Sequence, residues 1–99
     1  MSTHEMKGKY TVFMFVDTAP GKDEAVLEEI LEHEEVIEAH IISGQYDILV
    51  VLEIGLHGKP IFSTVKEIAQ KSIRKIRKIS GVRDTNTIVP FFSVTKRAD

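Results

Sequence analysis

Ile41-Ile42-Ser43-Gly44-Gln45-Tyr46-Asp47-Ile48-Leu49-Val50-Val51-Leu52 reads as two apolar strands joined by a short turn with an acid at its exit. The Gly44-Gln45 pair supplies the turn signal, since glycine adopts the backbone angles that a tight hairpin requires. Asp47 then heads a strand of branched aliphatic residues, which places a carboxylate at the rim of a sheet. A carboxylate there has two uses: accepting hydrogen bonds from turn amides, as Asp commonly does, or holding a cationic ligand.

Working outward, residues 36–42 form the strand before this turn and 47–54 the strand after it. On the second of these, Ile48, Val50, Leu52 and Ile54 share one face, and Leu49 and Val51 share the other. Residues 10–17 alternate aromatic, β-branched and apolar side chains, which favours a further strand. Its faces carry Tyr10, Val12, Met14 and Val16 on one side and Thr11, Phe13, Phe15 and Asp17 on the other. Pro20-Gly21 breaks that strand, and Asp23 and Glu24 sit where a first helical turn prefers negative charge. The helix runs to about residue 33 and presents Val26, Leu27, Ile30 and Leu31 at helical spacing.

Beyond the hairpin, Pro60 suits the first turn of a second helix reaching about residue 78. Its apolar stripe is Ile61, Val65, Ile68, Ala69, Ile73 and Ile76, and Gly81 closes it. A strand over 82–89 stops at Pro90, which cannot donate to a sheet ladder. Residues 91–95 form one more short strand, with 1–9 as a flexible amino-terminal arm, 10–95 as a single domain and 96–99 as a tail.

Strand, helix, strand, strand, helix, strand is the order of a ferredoxin-like α+β sandwich, with both helices on one face of an antiparallel sheet. The helices cover one face only. Phe13, Phe15, Leu49 and Val51 remain on the other, an apolar patch that a monomer rarely leaves in water. A second copy is expected to cover it, giving a homodimer with its sheets face to face, a dimeric α/β barrel.

Ninety-nine residues suffice for one core without disulfides or metal. The absence of cysteine removes thiolate chemistry and cysteine metal ligands and leaves the cytoplasm as the expected compartment. No apolar run approaches the roughly 20 residues of a membrane helix, so no membrane partner is expected. The net charge of −2 conceals sorting along the chain. Acids crowd 23–38 and bases crowd 66–83, read as complementary faces of neighbouring helices, with the acidic stretch opposing nucleic-acid binding.

His4, His33, His40 and His57 lack metal-ligand spacing, the serines lack a nucleophile-elbow setting, and no glycine-rich phosphate loop occurs. No catalytic residue, metal site or cofactor is therefore expected. Phe13 and Phe15 on a strand could stack bases, but the aromatic signature of RNA-recognition modules is missing. What remains is the rim: Gly44, Tyr46 and Asp47 at the turn, and Thr85 and Thr87 on the last long strand. A carboxylate can hold an ammonium, and hydroxyls with turn amides can hold a carboxylate, so this set has the parts to grip a free α-amino acid.

Gly44-x-Tyr46-Asp47 opening an aliphatic strand, a helix ending in Ile79-Ser80-Gly81-Val82, and then Thr85-x-Thr87-Ile88-Val89 together resemble a known family. The pattern is similar to the effector-binding (RAM) domain of leucine-responsive, or Lrp/AsnC, regulators over about residues 10–89. The resemblance implies dimers formed through their sheets, assembly into octamers of four dimers, and an amino-acid effector bound between dimers. It implies that Asp47 takes the effector's ammonium, that Gly44 and Tyr46 shape the cleft, and that Thr85 or Thr87 meets its carboxylate.

Those regulators carry an amino-terminal helix-turn-helix domain, which the residues before Tyr10 are too few to encode. The expectation is a stand-alone amino-acid sensor that modulates transcription through full-length Lrp/AsnC partners without binding DNA directly. Two other readings stay open. A dimeric α/β-barrel enzyme of the small-monooxygenase type would need a cavity between sheet and helices with His40 or Asp47 pointing inward. An ACT-like regulatory domain begins similarly with Asp17-Thr18-Ala19-Pro20-Gly21, although Lys22-Asp23 depart from the apolar residue usual after that glycine.

Overall fold

In chain order the elements are β1 (His4–Glu5), β2 (Lys9–Thr18), α1 (Asp23–Leu31), β3 (Val36–Ile41), β4 (Ile48–Gly55), α2 (Val65–Arg77), β5 (Val82–Ile88) and β6 (Val94–Thr95). The structure is a computed structural model describing residues 4–5, 9–55, 65–90 and 94–96. The expected start of the second helix at Pro60 and the first part of the expected 91–95 strand lie outside the described residues.

The four long strands form one antiparallel sheet in the order β3-β4-β2-β5, the ferredoxin-like arrangement expected from the element order. A separate two-stranded ribbon pairs β1 with β6, His4 opposite Thr95 and Glu5 opposite Val94. His4 and Glu5, placed by sequence in the arm, are thus paired with the end of the chain.

Register sorts the sheet's side chains into two layers. On the helix side, Ala39, Val50, Met14 and Thr87 form one cross-strand row, and Ile41, Ile48, Val16 and Thr85 form the next. On the other side the rows are His40, Leu49, Phe15, Asn86 and Glu38, Val51, Phe13, Ile88. Val12, Met14 and Val16 of β2 and Ile48, Val50, Leu52 and Ile54 of β4 are buried against Val26 and Ile30 of α1 and Ala69, Ile73 and Ile76 of α2. Aliphatic chains fill the space between sheet and helices, and His40 is exposed, bonded to Glu38 at 2.9 Å. Of the two side chains that the enzyme reading offered, His40 or Asp47, the histidine thus stands in solvent rather than inside.

Helix ends show why the sequence boundaries shift slightly. In α1 the Asp23 carboxylate accepts the Glu24 N–H at 3.0 Å in the first turn. At its end, Glu32 N–H donates to the Glu29 carbonyl and His33 N–H to the Ile30 carbonyl, both at 3.1 Å, so the final turn tightens and the α-helix stops at Leu31. After α2 the chain passes through Gly81 at φ +100°, a left-handed conformation that favours glycine. A Cβ there would lie 3.0 Å from both Lys22 Cβ and Val26 Cγ2. The Gly81 carbonyl accepts the Ala19 N–H at 2.7 Å, tying the β2–α1 junction to the α2–β5 junction.

One further correction concerns the organising turn. It is not a two-residue hairpin at Gly44-Gln45. The Ile42 N–H donates to the Asp47 carbonyl at 2.9 Å, leaving Ser43, Gly44, Gln45 and Tyr46 as a four-residue loop. Gly44 takes φ +122° within it.

Candidate functional site

The loop carrying Gly44, Tyr46 and Asp47 is fastened to the end of β2, and this fixes the geometry of the rim. The Asp47 N–H donates to the Val16 carbonyl at 3.0 Å. The Asp47 side chain returns the contact, its Oδ2 accepting the Thr18 N–H at 2.8 Å and the Thr18 hydroxyl at 3.2 Å. Thr18 lies at a register shift where β2 slips against β5. The carboxylate therefore caps an irregular strand end rather than the amides of its own turn.

Those bonds set the charge on Asp47. The Thr18 N–H is the largest influence holding its pKa below the ordinary carboxylate value, followed by the Asp17 side chain. Burial opposes the shift, and the Thr18 hydroxyl and Arg83 charge reinforce it. Arg83 itself donates to Asp17 Oδ2 at 3.1 Å. The result is a half-buried, ionised carboxylate at the sheet's rim.

Tyr46 turns to the face away from the helices. Its ring lies 5.4 Å from that of Phe15, tilted by 35°, a favourable aromatic arrangement. Tyr46 thereby joins the layer of Phe13, Phe15, Leu49 and Val51. In that layer Val51 is only 9 % exposed, Phe13, Phe15 and Leu49 are half-buried, and Ile88 at the β5 edge is 45 % exposed.

Thr85 and Thr87 lie on the opposite, helix-facing side of β5, across from Val16 and Met14. Thr85 is buried, and its hydroxyl accepts the Arg77 Nε–H at 2.9 Å. The chain thus gathers Gly44, Tyr46 and Asp47 on one loop and sets Thr85 and Thr87 on the other layer, with β2 between. Thr18, Asp17, Arg83 and Arg77 complete the polar surroundings and were missed from sequence. The available signals were the acid-hydroxyl pair Asp17-Thr18 at a strand end and the basic residue in the last helical turn. Among the described residues no group of three or more His, Asp or Glu side chains is arranged to hold a metal ion. No helix among them is long and apolar enough to cross a membrane.

Comparison with known proteins bears on this loop directly. The family model for the Lrp/AsnC ligand binding domain matches residues 11–55, a span that runs from within β2 through α1, β3 and the loop to the end of β4. Curated proteins give no significant match. Among solved structures, a hypothetical protein of Pyrococcus horikoshii, PHS023, is 32 % identical, with 84 % of this chain and 90 % of that one covered at a TM-score of 0.63. FFRP-DM1 is 33 % identical, with 83 % and 99 % covered and a TM-score of 0.65. The transcriptional regulator NMB0573 of Neisseria meningitidis, solved as its complex with L-Met, shares the fold at 17 % identity and a TM-score of 0.58. Here 89 % of this chain covers 50 % of that one. Sheet order, rim loop and these similarities agree: the chain belongs to the Lrp/AsnC ligand-binding-domain family.

Proposed function

We propose that this chain is an amino-acid-sensing regulatory domain that binds a small effector at an interface between dimers and acts on transcription through full-length Lrp/AsnC partners. The observation that carries the reading is Asp47, a carboxylate kept ionised at the rim by Thr18 and Arg83, on the loop covered by the ligand-binding-domain match. Both Thr18 bonds fall on one oxygen, Oδ2, and a carboxylate can still give an effector ammonium a charge-assisted hydrogen bond.

Gly44 keeps the loop tip narrow and Tyr46 forms a wall. Within a protomer Thr85 and Thr87 lie on the other layer, and Thr85 is buried with its hydroxyl bonded to Arg77, so Thr87 or nearby amides of a different protomer are left to meet the effector's carboxylate. That division explains why the site needs an assembly. The dimer forms through Phe13, Phe15, Leu49 and Val51, and the octamer of four dimers brings the rims together. The L-Met complex of the Neisseria regulator supports an amino acid as the effector class.

The test is a thermal-shift and solution-mass screen of the twenty common amino acids against the protein, repeated with Asp47→Ala. One or a few amino acids should raise the melting temperature or change the assembly, and Asp47→Ala should abolish that response while the protein remains folded. No response to any amino acid, or an undiminished response in Asp47→Ala, would overturn the proposal.

A further inference from the structure

Each helix carries a line of like charge on its outer surface. On α1, Glu24, Glu28 and Glu32 are exposed and spaced four apart, so they stack along one line about 12 Å long. On α2, Lys71, Arg74, Lys75 and Lys78 are exposed and form a line of about 10 Å beside a shallow, open depression. The sequence suggests complementary faces of neighbouring helices, with most of these charges in solvent. The ion pairs His40–Glu38 and Arg83–Asp17 do not join α1 to α2.

Like charges four apart on a helix repel one another, so each line is unfavourable in an isolated copy. The α1 line is doubly so, because Glu32 sits at the helix's negative C-terminal end, where no basic residue stands in the last turn. Each line lacks what the other offers.

We infer that the helix layers of two copies pack face to face, the acidic line of α1 on one copy lying along the basic line of α2 on the other. Within a copy, α1 lies mainly over β3 and α2 over β5, at opposite edges of the sheet. A two-fold axis between the layers, parallel to the helices, carries α1 of one copy over α2 of the other and the reverse. One isologous contact therefore satisfies both lines twice.

Each helix returns against the strand that precedes it, and β2 and β4 are antiparallel, so the facing helices also run antiparallel. Glu24 then meets the Lys78 end and Glu32 the Lys71 end, which brings positive charge to the C-terminus of α1. Leu31, 50 % exposed beside the acidic line, gives this surface an apolar component suited to a protein partner. A phosphate backbone would instead be repelled by the acidic helix alongside. This contact uses the face opposite the proposed sheet-to-sheet dimer, so the two together extend into an open stack of copies rather than closing at a fixed number.

The test is sedimentation velocity from about 0.01 M to about 1 M salt, over which the screening length falls from about 30 Å to about 3 Å. The unaltered protein should fall from a larger, concentration-dependent assembly to a smaller mass as salt rises. The variant K71E/R74E/K75E/K78E and the variant E24K/E28K/E32K should each show the smaller mass at low salt, with unchanged circular dichroism. Their equimolar mixture should regain the larger mass. Mass indifferent to salt, either variant alone retaining the larger mass, or a mixture that stays dissociated would overturn the inference. Should a variant fail to fold, the salt series on the unaltered chain decides by the same criterion. A random-sequence DNA duplex is included at low salt, and binding that displaces the association would assign the basic line to phosphate and overturn the inference.

Discussion

Asp47 and Thr18, 29 residues apart in sequence, are joined twice, with one carboxylate oxygen accepting both the N–H and the hydroxyl of the threonine. The pair fastens the β3–β4 loop to the end of β2 where β2's register with β5 slips. The carboxylate proposed to meet an effector therefore also holds the loop that presents it.

This double duty gives a pH signature. Because the pKa of Asp47 is lowered on folding, the unfolded chain binds its proton more tightly. The stabilising contribution is present above the ordinary Asp value of about 3.9 and is lost as pH falls through the lowered native value. Asp47→Asn should melt below the unaltered protein at neutral pH, and the gap should close as pH drops below about 4. Thermal melts from neutral to acidic pH check this, and a gap that persists unchanged in acid would refute it.

Gly81 should be intolerant of a side chain. An alanine there meets a left-handed backbone angle and two neighbours at 3.0 Å, one of them on the core residue Val26. The conformational cost alone is about 1–2 kcal/mol, to which the contacts add. Chemical denaturation of Gly81→Ala should show that loss. Gly44→Ala, with φ +122° but nothing within 4 Å, should cost less.

Ile76 is completely buried on α2 against the sheet. Truncation to alanine removes the lost transfer energy and leaves a cavity, a destabilisation of about 2–5 kcal/mol. Urea titration should show an earlier midpoint with little change in slope.

Leu49 lies in the centre of the proposed sheet-to-sheet contact, beside Phe15 and across from His40. Leu49→Asp should halve the mass of the smallest assembly at every salt concentration while leaving the helical signal intact. An unaltered mass would remove this face from the dimer contact.

The strands were legible because alternation survives in 10–17 and 47–54, and the helices because their apolar spacing is regular. The loop was misread because Gly44-Gln45 carries a strong hairpin signal, whereas the actual closure is set by the Ile42–Asp47 bond. The alternation of β5 put Thr85 and Thr87 on one side but not on which side. That choice comes from pairing with Val16 and Met14, a contact with no local trace. Asp47 was singled out as a rim carboxylate, yet its partner Thr18 is distant in sequence, as Arg77 is to Thr85 across a helix end.

The small ribbon of β1 and β6 has a geometric consequence for anything tethered to this domain. Because His4 faces Thr95 across a strand pair, their backbones stand about 5 Å apart. A segment fused ahead of one and a segment fused behind the other would leave through the same doorway. Fluorescent labels placed at His4 and Thr95 should accordingly report close proximity.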